Sequence, residues 1–180
     1  MHSYSAVGES RYAVWHIAVG DDLEVGMSVQ MSDTVLFRRY SHELLQVTTE
    51  EGLLTPEQFG LQPEMMHTAC YRGFYLGYSL TKNGLFLRRI KVRDGRGHYP
   101  PIDGVVPVVD ECFWTATYRG LNVPVSYTGG MRIGRDPNVE KLSGHGSILP
   151  QVEAFRVLWE LTLEQGRLVD AIDRSPVVVI

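Results

Sequence analysis

Short β-type runs, each ended by Gly, Pro, Asn or Asp, constrain this chain more than any other feature of its sequence. Tyr12 to Val19, Thr34 to Arg39, Tyr71 to Thr81, Leu85 to Arg93, Val123 to Tyr127, Met131 to Gly134 and Phe155 to Leu163 all read as strands. Leu168 to Ile172 returns after Gly166. Helix has two candidate starts. Thr55-Pro56-Glu57-Gln58 offers a cap, a proline at the first helical position and an acidic first turn, and Ser41 to Leu45 is the second. The pattern predicts a mainly β fold, all-β or α+β: an antiparallel bent sheet, a two-layer sandwich or an open barrel with one or two short helices. No repeat or low-complexity tract breaks the 180 residues, and the 18 glycines are scattered, so residues 1–180 read as a single domain.

The clearest local signal is a hairpin. Tyr71 to Thr81 is followed by Lys82-Asn83-Gly84 and then Leu85 to Arg93. A two-residue Asn83-Gly84 loop would set Tyr78 against Arg89 and Leu76 against Lys91, placing charges on the apolar face. A three-residue loop with Gly84 left-handed in a bulge instead pairs Leu80 with Phe86, Leu76 with Ile90 and Phe74 with Val92, leaving Tyr78 opposite Arg88 as the one exception. Burial of one face selects this second register. The opposite face then carries Tyr71, Gly73, Tyr75, Gly77 and Ser79 against Leu87, Arg89, Lys91 and Arg93. That face is basic and aromatic. It reads either as a solvated face whose long side chains cover glycine gaps, or as a docking surface for an acidic protein patch or a single-stranded phosphate backbone. The turn-rich stretch Arg93 to Gly104 would extend it with Arg96 and His98. The candidate binding residues are therefore Tyr71, Tyr75, Arg89, Lys91, Arg93, Arg96 and His98.

Charge qualifies this picture. With 17 basic and 21 acidic side chains the formal net charge is -4, which argues against a dedicated duplex-DNA binder. The basic residues comprise 14 Arg and 3 Lys, and arginine is the better planar donor to carboxylate and phosphate.

Catalytic signatures are absent: the sequence has no Walker loop, GxSxG elbow, HExxH or GxGxxG. Gly129 to Gly134 is glycine-rich but opens no helix, so turn and bulge glycines explain it. The two cysteines, Cys70 and Cys112, show no metal spacing. Asp110 and Glu111 beside Cys112 would raise its thiol pKa, and it reads as a small core residue. The six histidines form no i, i+4 pair or HxH, and neither metal nor cofactor is expected. His145 falls in a glycine-rich loop. A second site reading places a pocket for an anionic ligand at one end of the sheet, lined by Trp114, Tyr118, Tyr127 and Arg132. No apolar run approaches a membrane span or a leader segment, which makes cytoplasm the expected location. The apolar tail Pro176 to Ile180 is expected to add a final strand.

The segments Thr68 to Phe74, Leu85 to Leu87, Tyr127 to Ile133 and Glu160 to Leu168 resemble a pattern of small bacterial β-rich proteins. In these an aromatic-Arg-Gly-aromatic strand leads into a Gly-turn hairpin, followed by an aromatic-x-Gly strand and a closing hairpin. The resemblance implies a bacterial, cytosolic, β-rich protein and carries no established activity. For function the sequence points first to a non-enzymatic cytosolic binding protein with a protein partner, most concretely an immunity-type inhibitor of a toxin or effector. An enzyme or small-molecule binder with an anionic ligand is the alternative, and single-stranded nucleic-acid binding through the basic face is the third reading.

Overall fold

The computed structural model describes residues 30–138 and 152–176. The expected strand Tyr12 to Val19, His145, and Val177 to Ile180 of the expected final strand lie outside them. Nine described strands form one mixed sheet: β1 (Thr34–Phe37), β2 (Tyr40–Val47), β3 (Phe74–Thr81), β4 (Gly84–Val92), β5 (Val108–Asp110), β6 (Thr115–Pro124), β7 (Gly129–Pro137), β8 (Phe155–Glu164) and β9 (Arg167–Asp173). Their order across the sheet is β5-β6-β4-β3-β1-β2-β7-β8-β9. Every pairing is antiparallel except that of β1 with β3, which is parallel. The mainly β expectation holds, and among the described residues helix is confined to two 3-10 turns.

One connection dictates the shape. β6 and β7 stand second and seventh in the sheet, yet only Val125 to Thr128 join them. Five strand spacings in a flat sheet span ~24 Å. Five residue steps of extended chain reach at most ~18 Å. A flat sheet is therefore impossible, and it coils until its two halves meet over this crossing. Three backbone hydrogen bonds hold the meeting point. Val125 N–H donates to Leu85 O (3.0 Å), Leu85 N–H to Gly166 O (2.8 Å), and Gly166 N–H to Tyr127 O (2.7 Å). The coil stops short of a barrel, leaving β5 and β9 as edges. Its inner side is the core, with Leu76, Tyr78, Leu87, Ile90, Tyr118, Tyr127, Met131 and Ile133 among its buried residues.

The β3–β4 hairpin keeps the expected register in its far half, where Phe74 pairs with Val92, Tyr75 with Lys91, Leu76 with Ile90 and Gly77 with Arg89. Nearer the turn it shifts by one, so that Tyr78 meets Leu87, Leu80 meets Leu85 and Thr81 meets Gly84. Arg88 is the extra residue. This bulge removes the Tyr78–Arg88 mismatch and turns Leu85, Leu87, Ile90 and Val92 all inward, although a regular strand would split the two leucines from Ile90 and Val92. Leu87, expected on the basic face, is thus a core residue. The expected three-residue loop with Gly84 in a bulge is not formed: Gly84 opens β4 opposite Thr81, so the loop is Lys82-Asn83, and the bulge sits at Arg88 instead.

Other expectations are corrected. Ser41 to Leu45 lies in β2, where the alternation of buried His42 and Leu44 with Ser41 and Glu43 is a strand period, not a helix period. The strand expected over Val123 to Tyr127 instead ends β6 at Pro124, and Val125 to Tyr127 forms the crossing. Tyr71 to Gly73 is a turn ahead of β3. There the fully buried Asp33 accepts from both terminal nitrogens of Arg72 (2.5 and 3.3 Å) and from Leu76 N–H (2.7 Å). This latch sets β1 beside β3, because Asp33 immediately precedes β1 and its partners straddle the start of β3. Thr55-Pro56 begins a 3-10 turn, Pro56–Phe59, in which Thr55 N–H donates to Gln58 Oε1 and Gly60 closes the turn at φ +77°.

Two predictions follow from the packing. Gly166 sits at φ +76°, and a Cβ there would lie 2.1 Å from Val125 O. Gly166→Ala should therefore cost at least ~2 kcal/mol in denaturant unfolding, whereas Gly97→Ala, also at positive φ but in open space, should cost only about 1 kcal/mol. Equal costs would contradict the crossing's role. The second concerns His42, whose ring is buried beside Phe37 while its Nδ1–H tautomer donates to Tyr40 O (3.0 Å). Burial lowers its pKa below the usual 6.5. The unfolded chain then takes up a proton that the folded chain resists, so stability is full above about pH 6.5 and is lost as pH falls toward the folded value. Thermal midpoints between pH 7.5 and pH 5 should fall, and His42→Leu should flatten the upper part of that decline.

Candidate docking surface

The outer side of β3, β4 and β6 is built by the same register that fills the core. In one row Gly77, Arg89 and Arg119 stand opposite one another across three strands; in the next stand Tyr75, Lys91 and Thr117, with Val108 of β5 beyond. Gly77 lets Arg89 pack closely, since a Cβ there would lie a tight 3.2 Å from that of Arg89. The arginine stem occupies the trough, and its guanidinium rests 5.6 Å from the centroid of Tyr75. Arg88, thrown out by the bulge, donates to Asn122 Oδ1 (2.6 Å) and Leu121 O (3.3 Å) and lies 5.2 Å from the Phe86 ring. Arg93 donates to Met65 O (3.0 Å) at the end of the row.

Among the described residues these cations have no built-in counterions. β3, β4 and β6 contain no Asp or Glu, and none of Arg88, Arg89, Lys91, Arg93 and Arg119 forms an ion pair with a described residue. Directly opposed like charges such as Arg89 and Arg119 destabilise a sheet. Arg89 Nε is, moreover, buried without a hydrogen-bond partner among the described residues.

Of the residues singled out from the sequence, Tyr75, Arg89, Lys91 and Arg93 share this surface. Tyr71 is exposed in the turn before β3, with its N–H donating to Gln30 Oε1 (3.1 Å). Arg96 is committed elsewhere: it pairs with Asp94 (3.1 Å) and donates to Gly60 O (2.6 Å). Burial alone would favour the neutral acid at Asp94, yet hydrogen bonds from the Arg96 side chain and from the amides of Gln62 and Arg96 outweigh it and hold the pKa down to about 2. That loop is a rigid support, with His98 exposed on it. Arg88 and Arg119 were not anticipated. The phase change in Leu85-Phe86-Leu87-Arg88-Arg89-Ile90 carried the signal for the first. The second needed the β4–β6 pairing, which no local pattern announces.

The four residues of the expected pocket do not converge. Trp114 is exposed in the turn before β6. Tyr118 and Tyr127 are wholly buried, donating to Pro100 O (2.8 Å) and Gly130 O (2.9 Å), and burial pushes the Tyr118 phenol up to about 12. Arg132 alone borders a depression of about 190 Å³, shared with Gln46, Thr48, Gly130 and Glu160. Glu160 lies 3.9 Å from Arg132 and also receives Arg174 (3.1 Å), which offsets the charge. Typical ligand pockets measure roughly 300–1,000 Å³. Cys70 is buried and donates to Phe74 O, with burial raising its thiol pKa. Cys112, expected in the core, is exposed. Among the described residues no cluster of metal-ligating side chains occurs, and no helix is long and apolar enough to cross a membrane. Compared with protein-family models, curated proteins and solved structures, the chain matches none.

Proposed function

We propose that this chain is a non-enzymatic binding protein of the cytosol, whose outer β3–β4–β6 surface docks an acidic patch on a protein partner. The observation that carries this reading is the row of cations without described counterions, in which Arg89 and Arg119 face each other across neighbouring strands. A partner carboxylate would relieve that repulsion. Single-stranded nucleic acid is the weaker occupant. Base stacking needs open aromatic faces, whereas guanidinium groups already sit against Tyr75 and Phe86. An immunity-type inhibitor that masks an acidic face of a toxin or effector is the concrete form of this function.

Affinity capture from the producing cell compares the wild-type chain with Arg89→Glu/Lys91→Glu/Arg119→Glu. One stoichiometric protein should be retained at low salt, released as salt rises, and lost with the triple variant, whose affinity should fall at least about tenfold, ~1.4 kcal/mol. Retention of nucleic acid in its place, or capture indifferent to the triple change, would overturn the proposal.

A further inference from the structure

Next to the basic surface two large apolar side chains are exposed. Phe113 and Trp114 are 72% and 68% exposed in the turn between β5 and β6, and Val106 and Val108 are exposed in and just before β5. The turn is held firmly. Asp110 Oδ1 accepts from the amides of Cys112 (3.1 Å) and Phe113 (3.4 Å). Trp114 O accepts from Tyr99 Oη (2.7 Å), which itself accepts from Asp94 N–H (3.2 Å), tying the turn to the clamped Asp94–Arg96 loop. Trp114 is also held at φ +54°, a left-handed conformation that strains a bulky residue. Burial of the indole could offset that strain, but the indole is not buried. The turn that closes β5 onto β6 accounts for a left-handed residue at this position, as hairpin turns do at Arg38, Arg39 and Gln165, but not for a bulky, exposed tryptophan occupying it.

We propose that the Asp110–Trp114 turn is the apolar anchor of the docking surface, pressing Phe113 and Trp114 onto an apolar patch of the same acidic protein partner. This rests on the docking function argued above. Position supports it. Continuing the register of Lys91 with Thr117 and Val92 with Ala116 sets Arg93 opposite Thr115, so the turn lies at the Arg93 end of the basic rows. An aromatic anchor beside arginines is the usual make-up of an interface hot spot.

Charge selects the occupant. Asp110 and Glu111 border the aromatic pair and would repel a phosphate backbone. A two-fold contact between copies of this chain would set basic rows against basic rows. A protein whose carboxylates lie on one side of its apolar patch, over the arginine rows and away from Asp110 and Glu111, meets neither objection, whereas a phosphate backbone carries its charge along its whole length. Addition of a partner strand to β5 is disfavoured as well, because β5 has three residues and Pro107 before it has no N–H to donate.

The test pans a phage-displayed library of random linear peptides on the full chain, then titrates synthetic versions of the enriched peptides against variants. Enriched peptides should combine aromatic or aliphatic residues with Asp or Glu. Trp114→Gly should weaken them at least about tenfold while the thermal midpoint holds or rises, because glycine relaxes the strained backbone. Phe113→Ser, which leaves Trp114 in place, should weaken binding as well. Binding that survives Trp114→Gly but fails in Arg89→Glu/Lys91→Glu overturns the anchor and leaves the basic surface standing; the reverse pattern overturns the basic surface instead. A midpoint lowered by Trp114→Gly would make the turn structural and overturn the proposal. So would enrichment of peptides lacking carboxylates, failure to enrich any peptide, or a concentration-dependent dimer abolished by Trp114→Gly.

Discussion

The four residues between β6 and β7 are the constraint from which the rest of the structure follows. Too short to cross a flat sheet, they require the strands to coil, and the coil decides which side of every strand is inside. Gly166 is where this is felt most sharply, since its carbonyl and amide bridge Leu85 and Tyr127 and its missing side chain makes way for Val125 O. The Asp33–Arg72 latch does related work at the other end of β3, fixing the parallel neighbour β1 through one buried carboxylate. A broken buried ion pair typically costs ~3–5 kcal/mol, which makes this latch as consequential as a large core side chain.

Once inside and outside are fixed, the Arg88 bulge distributes charge. Without it the apolar residues on either side of Arg88-Arg89 would face opposite ways; with it they all enter the core and the cations go outward. A chain of net charge -4 thereby presents a surface whose strands hold no acid. Net charge governs how a protein behaves at a distance, but a row of arginines governs what it touches within a Debye length, ~8 Å at physiological salt. The two are compatible because the carboxylates sit on other elements, including Asp110 at the end of β5 and Glu111 in the turn after it.

Much of this was legible in the sequence where the determinants are local. Alternation in Tyr71 to Arg93 placed Tyr75, Arg89, Lys91 and Arg93 on one face, and it set the register of the distal hairpin correctly. Thr55-Pro56 announced its turn through cap and proline. What was not legible depends on pairing between distant segments. Arg119 joins the surface only because β6 lies against β4, and β1 lies parallel to β3 through a side chain more than thirty residues away from its partner. Ser41 to Leu45 looked helical because a five-residue window cannot separate the two periods when Leu44 and Leu45 are both apolar. Cys112 read as core because Asp110 and Glu111 beside it argue against a reactive thiol, which says nothing about burial. The turn between β5 and β6 sets Cys112, Phe113 and Trp114 in solvent, which composition could not foretell.

The central claim, that the outer β3–β4–β6 surface with its aromatic turn is where this protein meets its partner, is tested most directly by a residue-resolved footprint. Amide and indole resonances of the full chain would be followed as an enriched acidic peptide is added. The account predicts shifts at Gly77, Arg89, Lys91, Thr117 and Arg119 together with the Trp114 indole. Shifts confined to Gln46, Thr48, Gly130 and Arg132, around the depression beside Glu160, would contradict it.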